Sequence, residues 1–278
     1  MLEDPPLSAK TKLIFITFLL MGIPFYSSAS AMENAKLIFQ TGMGSLDYEE
    51  STDAFGSSIE SESSSRVFLL EVLGELPVSS VLFAGGLVTA GWTSSGDEIW
   101  WENGSLRQTN DLQIDLYNLE LRLGYRFPVR ENSGFSASVY VNTGYDVFSF
   151  ERSNFVVLGV PQSIPTVTEE FDLLRLGAGI QAAMDVQRWS FFGEAGYGRY
   201  LDGQVNNSAF PGITLETEGN RWHVEIGVDR RLSTALSLGL ALSSSMVDLQ
   251  ESEPVSGVVF PNSRTGINSL NLRLTKVF

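Results

Sequence analysis

The chain has 278 residues, with 33 acids against 18 lysines and arginines, a formal charge of −15 and no cysteine. That balance argues against nucleic-acid binding, and the lack of thiols excludes disulfide staples and thiolate metal sites. With hydropathy near neutral and no apolar run of about 20 residues after the N-terminus, helical membrane spans are excluded too.

The N-terminus reads as a secretory signal: Lys10 and Lys12, an apolar core at Leu13–Pro24, and the A-x-A site Ala29-Ser30-Ala31. Twelve apolar residues are too few for a span, so cleavage after Ala31 is expected, which makes 1–31 a signal peptide and 32–278 one domain. From Met32 onward, period-two stretches alternate with polar connections and no helical period persists. The expected strands are Lys36–Tyr48, Arg66–Leu76, Val81–Trp92, Asp111–Phe127, Phe135–Phe148, Phe171–Met184, Trp189–Tyr200, Arg221–Asp229, a strand beginning at Leu236, and Gly266–Phe278.

Short and long connections between these ten stretches alternate strictly. One face of the strands is rich in large apolar residues, as in Leu236, Leu238, Leu240 and Leu242. The other carries Gly, Ser, Ala, Arg and Glu. A soluble sandwich or lipocalin-like barrel would enclose its apolar face; here the charged face is the one suited to the lumen. The expectation is an all-β, ten-stranded antiparallel transmembrane β-barrel with short periplasmic turns and long extracellular loops, monomeric, touching outer-membrane lipid and lipopolysaccharide. Tyr125, Phe135, Trp189 and Phe278 then fall at one level as an interfacial girdle, with Tyr145 and Trp222 near the opposite rim.

In the last stretch Leu270, Leu272 and Leu274 alternate with polar residues and the chain stops on Phe278. This ending resembles that of Gram-negative outer-membrane β-barrels, although Lys276 stands where an apolar residue is more usual. The resemblance implies that Leu270, Leu272, Leu274 and Phe278 form the signal read by the barrel-assembly machinery.

The lumen-facing parity collects Glu120, Arg122, Arg126, Arg175, Glu194, Arg221, His223, Glu225 and Arg273, together with Glu71. Such a set is either an ion-paired plug or a path for protons or solutes; a narrow lumen favours the plug. His223, the sole histidine, is either a general base tuned by Arg221 and Glu225 or a hydrogen-bonded wall residue. No cofactor or metal site is expected.

The connections carry the acid, including Glu49 and Glu50, Asp97, Glu98 and Glu102, Glu169 and Glu170, Glu216 and Glu218, Glu251 and Glu253. Solvation accounts for such loops; capture of divalent cations or a basic partner is the functional alternative, without any D-x-D-x-D-G calcium loop to carry it. Asp97, Glu98, Trp100 and Trp101 form the most distinctive loop motif, suited to a sugar or protein partner or to anchoring the loop. Ten strands with Gly91-Trp92-Thr93 before that motif are similar to omptins, outer-membrane aspartate/histidine proteases in which a carboxylate pair faces an Asp-x-His pair across the barrel mouth. The resemblance puts Asp97 and Glu98 in the first pair's place and His223 as the imidazole; Arg221, not an aspartate, stands two positions before it. From the residues, three functions follow in order: a non-enzymatic surface structural or interaction protein, an omptin-like protease, and a narrow channel for small solutes.

Overall fold

A computed structural model describes residues 35–128 and 134–278. The expected signal peptide, 1–31, lies outside the described residues. Twelve strand segments follow in order: β1 (Lys36–Thr52), β2 (Ile59–Pro77), β3 (Leu82–Thr93), β4 (Gly96–Glu102), β5 (Ser105–Arg126), β6 (Phe135–Val157), β7 (Val160–Pro161), β8 (Val167–Val186), β9 (Trp189–Asn207), β10 (Thr214–Arg231), β11 (Leu236–Leu249) and β12 (Asn262–Val277).

β3 and β4 lie end to end between β2 and β5, forming one stave, and β7 is a short return against the tip of β6. Ten antiparallel staves therefore form a ring. It closes where β1 meets β12, in unbroken register from Lys36↔Val277 to Ser51↔Asn262. Closure leaves no unpaired edge to recruit another chain.

On the side of the chain ends, β8 and β9 are joined by the tight turn Gln187-Arg188, where Gln187 takes φ 57°. On the other side the strands run much further than their apolar outer face. β6 has 23 residues; at roughly 3.3 Å per residue and a tilt near 40° it rises more than 50 Å, about twice the ~25 Å apolar band of an outer-membrane barrel. Two stretches expected as loops, Glu49–Ser65 and Thr93–Asn110, are therefore largely strand. β4 and β5 meet at Asn103-Gly104, both with positive φ, the hairpin chemistry that suits a right-handed strand twist.

The lower band faces outward with its grease. Leu238, Leu240 and Leu242 are 41–56% exposed, Leu121, Leu123, Val141 and Ile180 likewise exposed, and the girdle residues Tyr125, Phe135, Trp189 and Phe278 join them. Lys276 places its ammonium 4.3 Å from the Phe278 ring, which accommodates the cation at an interfacial level. No helix among the described residues is long and apolar enough to cross a membrane.

Higher up the polarity reverses without any change of pleat. Leu46, Val67, Leu112, Ile114, Phe148, Phe150, Phe171, Leu173 and Val247 point into the barrel and form one buried cluster. The expectation that the inward parity is poor in large apolar residues is thus corrected: they fill the upper lumen, and in the lower half Ile38, Leu73, Leu87 and Phe192 line the lumen beside the charged groups. An aromatic chain runs across the upper lumen, with ring centroids 4.8 Å apart for Tyr48–Phe150 and Phe150–Phe171, and 5.3 Å for Phe171–Phe260.

Candidate functional site

The lower lumen is an ion-paired wall. Glu120 accepts hydrogen bonds from Arg122 Nε at 2.6 Å and Arg175 Nη2 at 2.7 Å. Asp146 accepts from Arg221 Nη1 at 2.6 Å, Tyr200 Oη at 2.9 Å and Arg175 Nε at 3.2 Å. Glu194 collects Gln181 Nε2 at 2.7 Å, Tyr140 Oη at 2.8 Å, His223 Nε2 at 2.9 Å and Arg122 Nη1 at 2.9 Å. Glu225 lies 3.4 Å from Arg273, Asp229 3.6 Å from the same guanidinium, and Arg126 3.7 Å from Glu75. Charges in so dry a setting persist because each has partners that offset its desolvation.

Glycines make the room. A Cβ on Gly196 would collide with the His223 ring, and one on Gly198 with the aliphatic stem of Arg175. The inward parity of β9 therefore needs hydrogen at these positions so that its neighbours' long side chains can lie across it. Beneath the apolar plug remains a chamber of about 320 Å³ lined by Glu71, Glu194, His223, Glu225 and Arg273 among others.

A second cluster sits in the upper lumen, level with strand segments whose outer faces are polar (Asp47 and Glu49 on β1, Glu151 on β6), hence beyond the lipid band. Arg152 on β6 meets Glu98 of β4 twice, through Nε at 2.8 Å and Nη2 at 3.1 Å. Its Nη1 reaches Glu169 of β8 at 3.0 Å and its Nη2 reaches Glu50 of β1 at 3.3 Å. Asn110 adds a bond to Glu98 at 2.7 Å, the Tyr48 hydroxyl donates to Glu50, and the guanidinium stands 5.5 Å from the Trp100 ring. One residue thus ties four staves together across the barrel.

Three carboxylates around one guanidinium leave excess negative charge in a buried place. Burial, helped by the charges of Glu169 and Glu98 and opposed by Arg152, pushes the Glu50 carboxyl up to about 7. The same enclosure drives the Tyr48 phenol well above its usual value and so keeps it a hydrogen-bond donor.

Sequence and structure meet unevenly here. Glu120, Arg122, Arg175, Glu194, Arg221, His223, Glu225 and Arg273 all lie on the inward parity and in contact with one another or with shared partners, and Arg126 pairs with Glu75 at the periplasmic end. Asp146, Tyr140, Tyr200 and Gln40 belong to the same network. Sequence reasoning missed Asp146, although continuing the Ser138, Tyr140, Asn142 parity by two steps of two reaches it.

The loop motif is corrected. Asp97, Glu98, Trp100 and Trp101 lie on β4; Asp97 is exposed, while Glu98 is fully buried and Trp100 turns toward Arg152. Glu50 and Glu169, also expected as solvated loop acids, are buried with it. The omptin-like trio is not assembled. Glu98 is engaged by Arg152, Asn110 and Ser61, and the hydrogen-bond partner of His223 is Glu194. Among the described residues no cluster of three or more acids or histidines is arranged to hold a metal. Leu270, Leu272, Leu274 and Phe278 are exposed on the outer wall of β12 and its end.

No protein-family model and no curated protein matches this sequence. Among solved structures, the outer membrane protease OmpT from Escherichia coli superposes with a TM-score of 0.64 over 89% of this chain and 97% of its own, at 9% identity. The translocator domain of the autotransporter NalP from Neisseria meningitidis gives 0.37 at 12% identity over 97% and 96%. A major outer membrane protein from Thermus thermophilus gives 0.37 at 14% identity over 88% and 99%. The fold is that of a Gram-negative outer-membrane β-barrel.

Proposed function

We propose that the protein works in the outer membrane as a non-enzymatic plugged barrel, a structural or interaction protein that presents its acidic upper wall at the cell surface. The observation that carries this reading is the closed lumen. The apolar cluster fills the upper barrel and Arg152 ties β1, β4, β6 and β8 across it. A solute would have to displace buried aromatic side chains, each worth roughly 1.5–3 kcal/mol of burial, and break a buried ion cluster.

Export by a cleaved signal, recognition of Leu270, Leu272, Leu274 and Phe278 by the assembly machinery, and contact of the apolar belt with lipid and lipopolysaccharide belong to the same proposal. So does a basic partner or divalent cations at the upper rim, where Glu49, Glu60, Glu62 and Asp248 border a depression of about 570 Å³.

The test is one refolded sample examined twice. Planar bilayers should show no conductance steps, and a peptide library should stay uncut across pH. Regular conductance steps would make it a channel. Cleavage lost on Glu98→Gln or His223→Ala would make it a protease.

A further inference from the structure

Arg107, Arg199 and Arg264, high on the barrel, are each answered by an acid: Glu102, Glu218 and Asp248. At the periplasmic end two outward cations are not. Arg230 on β10 and Lys276 on β12 are exposed, and among the described residues neither has an ion pair. Each lies over an aromatic ring of the interfacial girdle instead. The Arg230 guanidinium is 5.6 Å from the Trp189 ring and the Lys276 ammonium 4.3 Å from that of Phe278.

The register sets the two on either side of β11. Arg230 is opposite Leu238, and Lys276 is opposite Leu236. Two strand spacings sideways and two residues along the strand put their Cα atoms about 12 Å apart, a gap that two long side chains close around one small anion. The outer wall between them is Leu236, Leu238 and Leu274, with no carboxylate. Asp185, an acid at this rim, is engaged by Arg231 at 3.3 Å. In a chain of formal charge −15, an outward pair of cations without acids beside it, set on hydrocarbon at the interface, calls for an anion from the membrane.

We propose that Arg230 and Lys276 bind the phosphate of an anionic phospholipid in the periplasmic leaflet. The guanidinium offers the phosphate oxygens two parallel N–H bonds, and the ammonium meets it as a point charge. The acyl chains run on along the outward row of Leu238, Leu240 and Leu272. A choline head group brings a cation of its own, which the basic pair repels; a glycerol head group does not. The two rings hold the basic groups in place beforehand, which lowers the cost of ordering them on binding. The site also gives Lys276 a task at a position where the pattern of the closing strand calls for an apolar residue. It rests on the outer-membrane fold alone and stands whatever partner the acidic upper wall takes.

Native mass spectrometry of the refolded chain in neutral detergent decides it, with dioleoylphosphatidylglycerol and dioleoylphosphatidylcholine added separately. The glycerol lipid should be retained as a single adduct at concentrations where the choline lipid is not. Arg230→Gln or Lys276→Gln should weaken it about fivefold and the two together about thirtyfold, while Arg199→Gln leaves it unchanged. The folded form's gel mobility should be kept, since both side chains are exposed; Arg230→Gln alone serves where Lys276→Gln does not fold. Equal retention of the two lipids, displacement of the adduct by inorganic phosphate, or undiminished affinity in the folded variants overturns the proposal.

Discussion

The two halves of the barrel are built from the same staves in the same pleat, yet they are inside-out versions of each other. Along β6 the outward residues begin Phe135, Val139 and Val141 and end Ser149 and Glu151, while the inward ones begin Ser138, Tyr140 and Asn142 and end Phe148 and Phe150. Nothing in the backbone marks the change. The solvent does: lipid around the lower band favours apolar side chains outside, and water around the upper wall restores the ordinary preference for apolar side chains within. Each half then solves its interior differently. The lower lumen shares acids and arginines in a many-partnered network, whereas the upper one is apolar around a single guanidinium.

That contrast makes Arg152 the most sensitive point. Arg152→Ala strands three buried carboxylates and should cost about 3–5 kcal/mol, the range for breaking a buried ion pair from one side. The loss should be local, seen as proteolytic nicking of the upper strands while the lipid-embedded band stays protected. Next comes the wall: Leu240→Arg, at the middle of the lipid-facing row, should cost about 2–4 kcal/mol in reversible urea unfolding from vesicles. The same measurement on Glu151→Gln, outward on the same kind of strand but above the band, should move by less than about 0.5 kcal/mol.

A pH titration sharpens the comparison further. Glu50 is raised from its ordinary carboxylate value to about 7, so the folded state holds a proton that the unfolded chain releases. Its contribution is present at low pH and is lost as pH rises from about 4.5 to about 7, by up to about 3 kcal/mol. Urea midpoints of the upper half should fall through that window, and Glu50→Gln should flatten the slope. The smallest effect belongs to Arg199→Ala. Its partner Glu218 sits 2.7 Å away, but both side chains are more than half exposed, and the change should stay under about 1 kcal/mol.

The sequence disclosed the lower half well because its apolar residues keep one parity in row after row, as Leu236, Leu238, Leu240 and Leu242 do. The upper half reads as loop for a physical reason. Where the outward row turns acidic, as at Asp47 and Glu49, an eye following the outer apolar stripe sees the strand end, although Leu46 and Tyr48 continue the pattern on the other side. Glu98 was hidden by the same effect. Its neighbours Asp97, Trp100 and Trp101 look like a surface patch until Asn103-Gly104 is taken as a two-residue hairpin, which puts Glu98 and Trp100 on the inner parity. The convergence of Glu50, Glu98 and Glu169 on Arg152 could not be read locally, because they come from four staves up to 119 positions apart, from Glu50 to Glu169.

The seam between β1 and β12 has a kinetic consequence. Lys36 meets Val277 and Ser51 meets Asn262, so the first stave to emerge must wait for the last before its outer row of amides is satisfied. Loop closure over that span is slow relative to hairpin formation, and the unzipped sheet meanwhile offers two bare margins to any neighbour. The ring therefore cannot close before all sixteen residues of β12 are in place.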